Sequence, residues 1–142
     1  MNDQTRVVID TNIWISYLVG QTLSGLTDQI LNERIIILYS EELLAELVEV
    51  LHRQKFKKYF TSENIQELIS LIDAKFEHVE VTKHIKACRD EKDNFLLDLC
   101  ISGNADYLVT GDADLLVLNP FLQTEIIDYR SFEKVVTELK TE

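Results

Sequence analysis

The sequence predicts an α/β fold, a parallel sheet with helices on both faces. Three observations point there. Short apolar runs rich in β-branched residues alternate with longer amphipathic stretches along the whole chain. The short runs are solidly apolar, as strands become when helices cover both faces. The 142 residues are 46% apolar and 27% charged, with four Gly and one Pro, which suits a packed core and not a disordered chain. No linker, repeat or low-complexity tract interrupts residues 1–142, so they read as one domain.

In order, Arg6–Ile9 is the first buried strand, and Asn12 to about Val19 is a helix. Ser24 suits the N-cap of a helix to about Asn32. Ile35–Tyr39 is the second strand. Ser40 caps an amphipathic helix, "SEELLAELVEVLHR". Helical stretches follow over Gln54–Phe60 and Ser62–Phe76, then a third strand, His78–Val81. Asp93–Ser102 is a helix that Gly103 ends. Tyr107–Val109 is the fourth strand, Leu115–Leu118 a short helix or turn, and Glu125–Ile127 the fifth strand. Ser131 caps a last helix to about Leu139.

Carboxylates stand where the strands stop. Asp10 follows "RVVI", and Asp112 and Asp114 follow "YLVTG". In open parallel sheets ligands bind at the carboxyl ends of strands, near a switch in strand order. Each aspartate also has a plain structural reading. Asp10 suits a helix N-cap, worth about 1 kcal/mol, and Asp112 a turn. In the Ser40 helix, Leu43, Leu44, Leu47, Val50 and Leu51 form one stripe. Glu46 lies about 100° from its centre, nearer the core than Glu41, Glu42 or Glu49. "RDEKDNFLLDLCIS" carries Asp93, placed to cap its helix or to point into a crevice, and Asp98 within an apolar run. Buried, Asp98 would need a partner. Gathered acids suit a hard cation such as Mg²⁺ or Mn²⁺, which relieves their repulsion and works on phosphates.

The net charge of −11 argues against loose, charge-driven binding of nucleic acid. The three histidines are scattered without an HExxH, which excludes an ordinary zinc site. Cys88 and Cys100 form no CxxC and read as free thiols. No apolar run approaches a membrane span, and Met1–Arg6 is polar, so a cytoplasmic protein is expected. A phosphoacceptor domain lacks its lysine after a later strand, and a nucleotide-binding fold lacks a Gly-rich loop after the first strand.

Four segments together, "VVIDTN", "SEELLAELVEVL", "CRDEKDNFLL" and "NADYLVTGDADLL", resemble the PIN domain. The likeness is to the compact bacterial proteins of the VapC-like kind, toxin components of type II toxin–antitoxin systems. The resemblance implies a three-layer α/β/α fold with a central five-stranded parallel sheet. It implies a Mg²⁺- or Mn²⁺-dependent endoribonuclease cutting single-stranded RNA. Its acids fall on Asp10, Glu46, Asp93 and Asp112 as catalytic residues. Asp10, Asp93, Asp112 and Asp114 would serve as metal ligands, with Asn12 and Thr110 supporting. Where relatives often carry Pro after the serine of the second-acid helix, this chain has Glu41.

An acidic protein needs a local handle for RNA. The basic patch "HRQKFKKYF" offers Arg53, Lys55, Lys57 and Lys58, with Phe56 and Tyr59 for stacking; its plain reading is a solvated helix end. The resemblance also implies an antitoxin protein lying across the acidic cleft and a homodimer. Trp14, Tyr17 and Leu18 are candidates for that interface or for the core. The alternative function is a PIN-fold interaction module that binds metal with little or no nuclease activity.

Overall fold

The computed structural model describes residues 4–20, 34–82 and 93–141. Within them, five parallel strands form one sheet in the order β3-β2-β1-β4-β5. They are β1 (Thr5–Ile9), β2 (Ile35–Tyr39), β3 (Glu77–His78), β4 (Tyr107–Val109) and β5 (Glu125–Ile127). The helices are α1 (Thr11–Gly20), α2 (Glu41–Leu51), α3 (Ser62–Lys75), α4 (Asn94–Gly103), α5 (Ala113–Leu116) and α6 (Tyr129–Thr141). The expected α/β/α sheet is therefore present. The helix expected from Ser24 to Asn32 lies outside the described residues, as does Cys88.

β1 is central. It pairs with β2 on one side, Val7 against Ile37, and with β4 on the other, Val7 against Tyr107 and Ile9 against Val109. The chain passes from β1 to β2 on one flank and later places β4 on the other. The switch in strand order therefore falls between β1 and β4, the position where such sheets open a crevice. Val7, Val8, Ile9, Ile37, Leu38, Leu108 and Val109 are buried, the pattern of strands covered on both faces.

α2 is capped as its sequence predicts. The Leu43 N–H donates to Ser40 Oγ at 3.2 Å, and Leu43, Leu47, Val50 and Leu51 face the core. α4 is buried nearly all round, through Leu96, Leu97, Leu99 and the free thiol Cys100, and Asp98 is buried with them. Burial pushes the Cys100 thiol up to about 12, so it stays protonated and inert. Trp14, Tyr17 and Leu18 are also buried, and Trp14 stacks on Phe76 with ring centroids 5.5 Å apart. These three are core, so any contact between copies of the chain uses other residues.

Several boundaries differ from the sequence reading. β3 starts one residue earlier and spans only two. Its pairing with β2 is supplemented by the Val79 N–H donating to the Tyr39 carbonyl at 2.8 Å. Gln54–Phe56 is a single 3₁₀ turn followed by further turns, not a helix through Phe60. α5 starts two residues earlier than expected, because Asp112 caps it. α6 begins before Ser131, whose N–H donates to Asp128 Oδ1 at 2.9 Å, so Asp128 is the cap. Gly103 is the last residue of α4, and Asn104 adopts the left-handed conformation beyond it, with φ 52°.

Candidate acidic site at the strand ends

The crevice is built by three chain segments that leave the sheet at the same end. β1 stops at Ile9, and the Asp10 N–H donates to the Val109 carbonyl at 2.9 Å, which fixes the end of β1 against the end of β4. The Asp10 carbonyl then accepts from the Ile13 and Trp14 N–H groups at 3.0 and 3.2 Å and starts α1. Asp10 thus opens a helix with its backbone while its side chain stays at the strand end. It is only 6% exposed.

Two threonines organise the acids. Thr110, fully buried after β4, donates its hydroxyl to Asp10 Oδ2 at 2.8 Å. That hydroxyl oxygen accepts the Asp112 N–H at 3.1 Å. Asp112 Oδ1 in turn accepts the Asp114 N–H at 2.8 Å and caps α5. One hydroxyl therefore couples the acid after β1 to the loop after β4. On the other side, Thr11 donates its hydroxyl to Glu46 Oε2 at 2.5 Å and brings the α2 acid to the start of α1. Glu46 is half-buried while Glu41, Glu42 and Glu49 are exposed, as the helical geometry expects.

The electrostatics agree with this convergence. Asp10 is held above the usual carboxylate range, first by its withdrawal from water. The Thr110 hydrogen bond opposes that rise, the Glu46 charge adds to it, the Thr11 N–H opposes it, and the Asp112 charge adds to it. The two charges that add to the rise come from separate segments, α2 and the loop after β4.

Asp93 sits at the first turn of α4 with Oδ2 buried. It occupies the N-cap position without a side-chain capping bond. Asp114 is half-buried, and its N–H is engaged by Asp112. Asn12 is exposed. Thr11 carries the contact to Glu46, and the sequence reading passed over it. Its signal was available: a β-branched hydroxyl between two motif residues, at the first turn of a helix, is buried only for packing or for a polar partner.

The donor set fits a hard divalent cation in kind, being oxygen throughout and short of local positive charge. It is not closed as it stands. Among the described residues, no three His, Cys, Asp or Glu groups gather closely enough to hold one ion. Glu46 Oε2 accepts from Thr11, and Asp112 Oδ1 accepts from the Asp114 N–H at the start of α5.

The basic segment does not join this acid cluster. Arg53, Lys55, Lys57 and Lys58 are exposed beyond the C-terminus of α2, and Arg53 is 3.5 Å from Glu49. No described helix is long and apolar enough to cross a membrane.

Comparison with known proteins agrees with the fold. No curated protein matches the chain significantly. The family model of the PIN domain matches residues 6–114, from the first strand through Asp114. That match spans β1 to β4 and every candidate acid. The chain belongs to the PIN domain family.

Proposed function

We propose that this PIN domain is a Mg²⁺- or Mn²⁺-dependent endoribonuclease that cuts single-stranded RNA as the toxin component of a type II toxin–antitoxin system. PIN domains are generally nucleases that use divalent metals, and the acids of this chain support the narrower reading. The observation that carries it is the pair of hydrogen-bonded links at the switch point of the sheet: the Thr110 hydroxyl joins Asp10 to the Asp112 loop, and the neighbouring Thr11 hydroxyl holds Glu46. Asp10, Asp93 and Asp112 would hold the cation, with Asp114 beside them. When bound, a divalent cation supplies a nucleophilic water at neutral pH and neutralises charge that develops on the phosphate.

The residues of the chain do the rest. The Thr110 hydroxyl fixes Asp10 Oδ2 so that the carboxylate presents one orientation to the crevice. Thr11 holds Glu46 at Oε2, from which Glu46 orients the attacking water and receives its proton. The burial of Asp10 at the floor of the crevice keeps bulk water from screening these charges. An antitoxin segment with a basic side chain would be drawn to the same acids. A homodimer, also part of this reading, forms through residues other than Trp14, Tyr17 and Leu18, which are core.

The alternative reading is an interaction module that binds a cation without turnover. One assay separates the two: cleavage of a labelled single-stranded RNA with Mg²⁺, with Mn²⁺ and with EDTA. Asp10→Asn and Asp112→Asn are expected to abolish cutting. Thr11→Val, which releases Glu46, is expected to slow it by about ten- to a hundredfold, with Thr11→Ser restoring it. Mn²⁺ binding that requires Asp10, without cutting in any cation, would establish the interaction module instead.

A further inference from the structure

Between α2 and α3 the chain runs "HRQKFKKYF", His52–Phe60. It holds four of the fourteen Lys and Arg residues of the chain and no Asp or Glu. Backbone hydrogen bonds wind it into tight turns. The Phe56 N–H donates to the Arg53 carbonyl at 2.9 Å, Lys57 to Gln54 at 3.2 Å, and Tyr59 and Phe60 both to Phe56, at 2.9 and 3.1 Å. This winding sorts the side chains. Phe56 and Phe60 turn inward and pack against the core, whereas Lys55, Lys57, Lys58 and Tyr59 are exposed.

Tyr59 is a large aromatic 45% open to water, and Lys58 Nζ stands 5.1 Å from its ring centroid. Lys55 Nζ is likewise 5.1 Å from the Phe56 ring. An exposed ring with one ammonium group against it and further exposed lysines in the same turn matches one chemistry well: a base that stacks while its neighbouring phosphates meet the cations. The base must be unstacked to be reached, which selects a single strand over a duplex. Six helical steps lead from Glu46 to His52, a rise of about 9 Å. The patch therefore begins a short way along α2 from the acid cluster.

Resting on the nuclease reading of that cluster, we infer that Lys55, Lys57, Lys58 and Tyr59 form a docking site for single-stranded RNA, with Tyr59 stacking on a base and the lysines on flanking phosphates. Charge complementarity argues for this occupant. A molecule of net charge −11 repels a polyanion over most of its surface, and this acid-free turn supplies a local attraction. The site is distinct from the acids: it binds substrate and does no chemistry.

The test is fluorescence anisotropy of a labelled single-stranded RNA in EDTA, so that nothing is cut, over a range of salt concentrations. The lysine variant combines Lys55→Gln, Lys57→Gln and Lys58→Gln. All three side chains are exposed, and circular dichroism confirms the fold. Its affinity is expected to fall about tenfold or more. Its dependence of log affinity on log salt is expected to flatten by about 2, at roughly 0.7 for each phosphate no longer neutralised by a lysine. Tyr59→Ala is expected to weaken binding about fivefold or more with the slope unchanged. Wild-type affinity and slope in the lysine variant would overturn the docking site and leave the nuclease reading to the cleavage assay. RNA binding that depends on the patch, with no cutting in any cation, would uphold the docking site and remove the nuclease reading. A wild-type protein that binds no RNA in EDTA would overturn the docking site, and the cleavage assay would decide the nuclease reading. Equally tight, lysine-dependent capture of polyglutamate would overturn the inference in favour of an acidic protein partner.

Discussion

Asp10 is more withdrawn from water than Glu46 or Asp112, and its proton is held above the ordinary carboxylate range, chiefly by that burial. The consequence for stability has a definite sign. The native state binds this proton more tightly than the unfolded chain, so the contribution of Asp10 falls as pH rises through the raised value. Above that window the buried charge opposes folding. In cation-free buffer, Asp10→Asn is therefore expected to melt at a higher temperature than wild type near neutral pH. The gap should close as pH falls into the usual carboxylate range, which thermal melts in EDTA at neutral and acid pH would check. A variant less stable than wild type at neutral pH would mean that the carboxylate is favoured where it sits. The positions of Asp10 and Asp112 were legible in the sequence because Asp10 follows its apolar strand directly and Asp112 comes just after the Thr110-Gly111 pair that ends the other. The burial of Thr11 had a local signal but its partner had none, since nothing local tells which acid a threonine hydroxyl will meet across the fold.

At the scale of elements, the apolar runs and caps made β1, β2, β4, β5 and α2 readable to within about a residue. The misses have physical causes. α5 and α6 start early because Asp112 and Asp128 outcompete later candidates for the first N–H groups. β3 is short because it is an edge strand, its position set by pairing with Leu38 and Tyr39 and not by its own residues, Glu77 and His78. At the end of α4 the helical residue Gly103 meets a need for space and not for φ. A Cβ there would lie 2.8 Å from Leu38 Cδ1 and 3.2 Å from Val79 Cγ2. Leu38 is buried within the sheet and has little room to yield. Gly103→Ala is expected to cost about 1–3 kcal/mol by overpacking. Denaturant unfolding should show an earlier midpoint with an unchanged slope, and a neutral effect would mean that β2 shifts freely.

Across the whole molecule, the strand order places the acids of three segments at one end, and the same end carries their mutual repulsion. A cation that binds the native site alone stabilises the fold by mass action, about 2.7 kcal/mol at a hundredfold excess over Kd. For a domain of this size that corresponds to a rise in Tm on the order of 10 °C. Mn²⁺ is expected to produce such a rise, EDTA to reverse it, and Asp10→Asn not to respond. A wild-type Tm indifferent to both Mg²⁺ and Mn²⁺ would count against the cation. The parallel order of the sheet was legible from the alternation of strands and helices. The sorting of Phe56 inward and Tyr59 outward was not, because the turn that decides it has no periodicity to read.

The two outermost strands, β3 and β5, span two and three residues, and each carries an exposed Glu, Glu77 and Glu125. A longer bare margin would invite a neighbouring chain to add its own strand, copy after copy, into a fibre. Among the described residues both margins are too brief to serve as such a template, and on β3 the Glu77 carboxylate is held by the Arg6 guanidinium from within the same sheet.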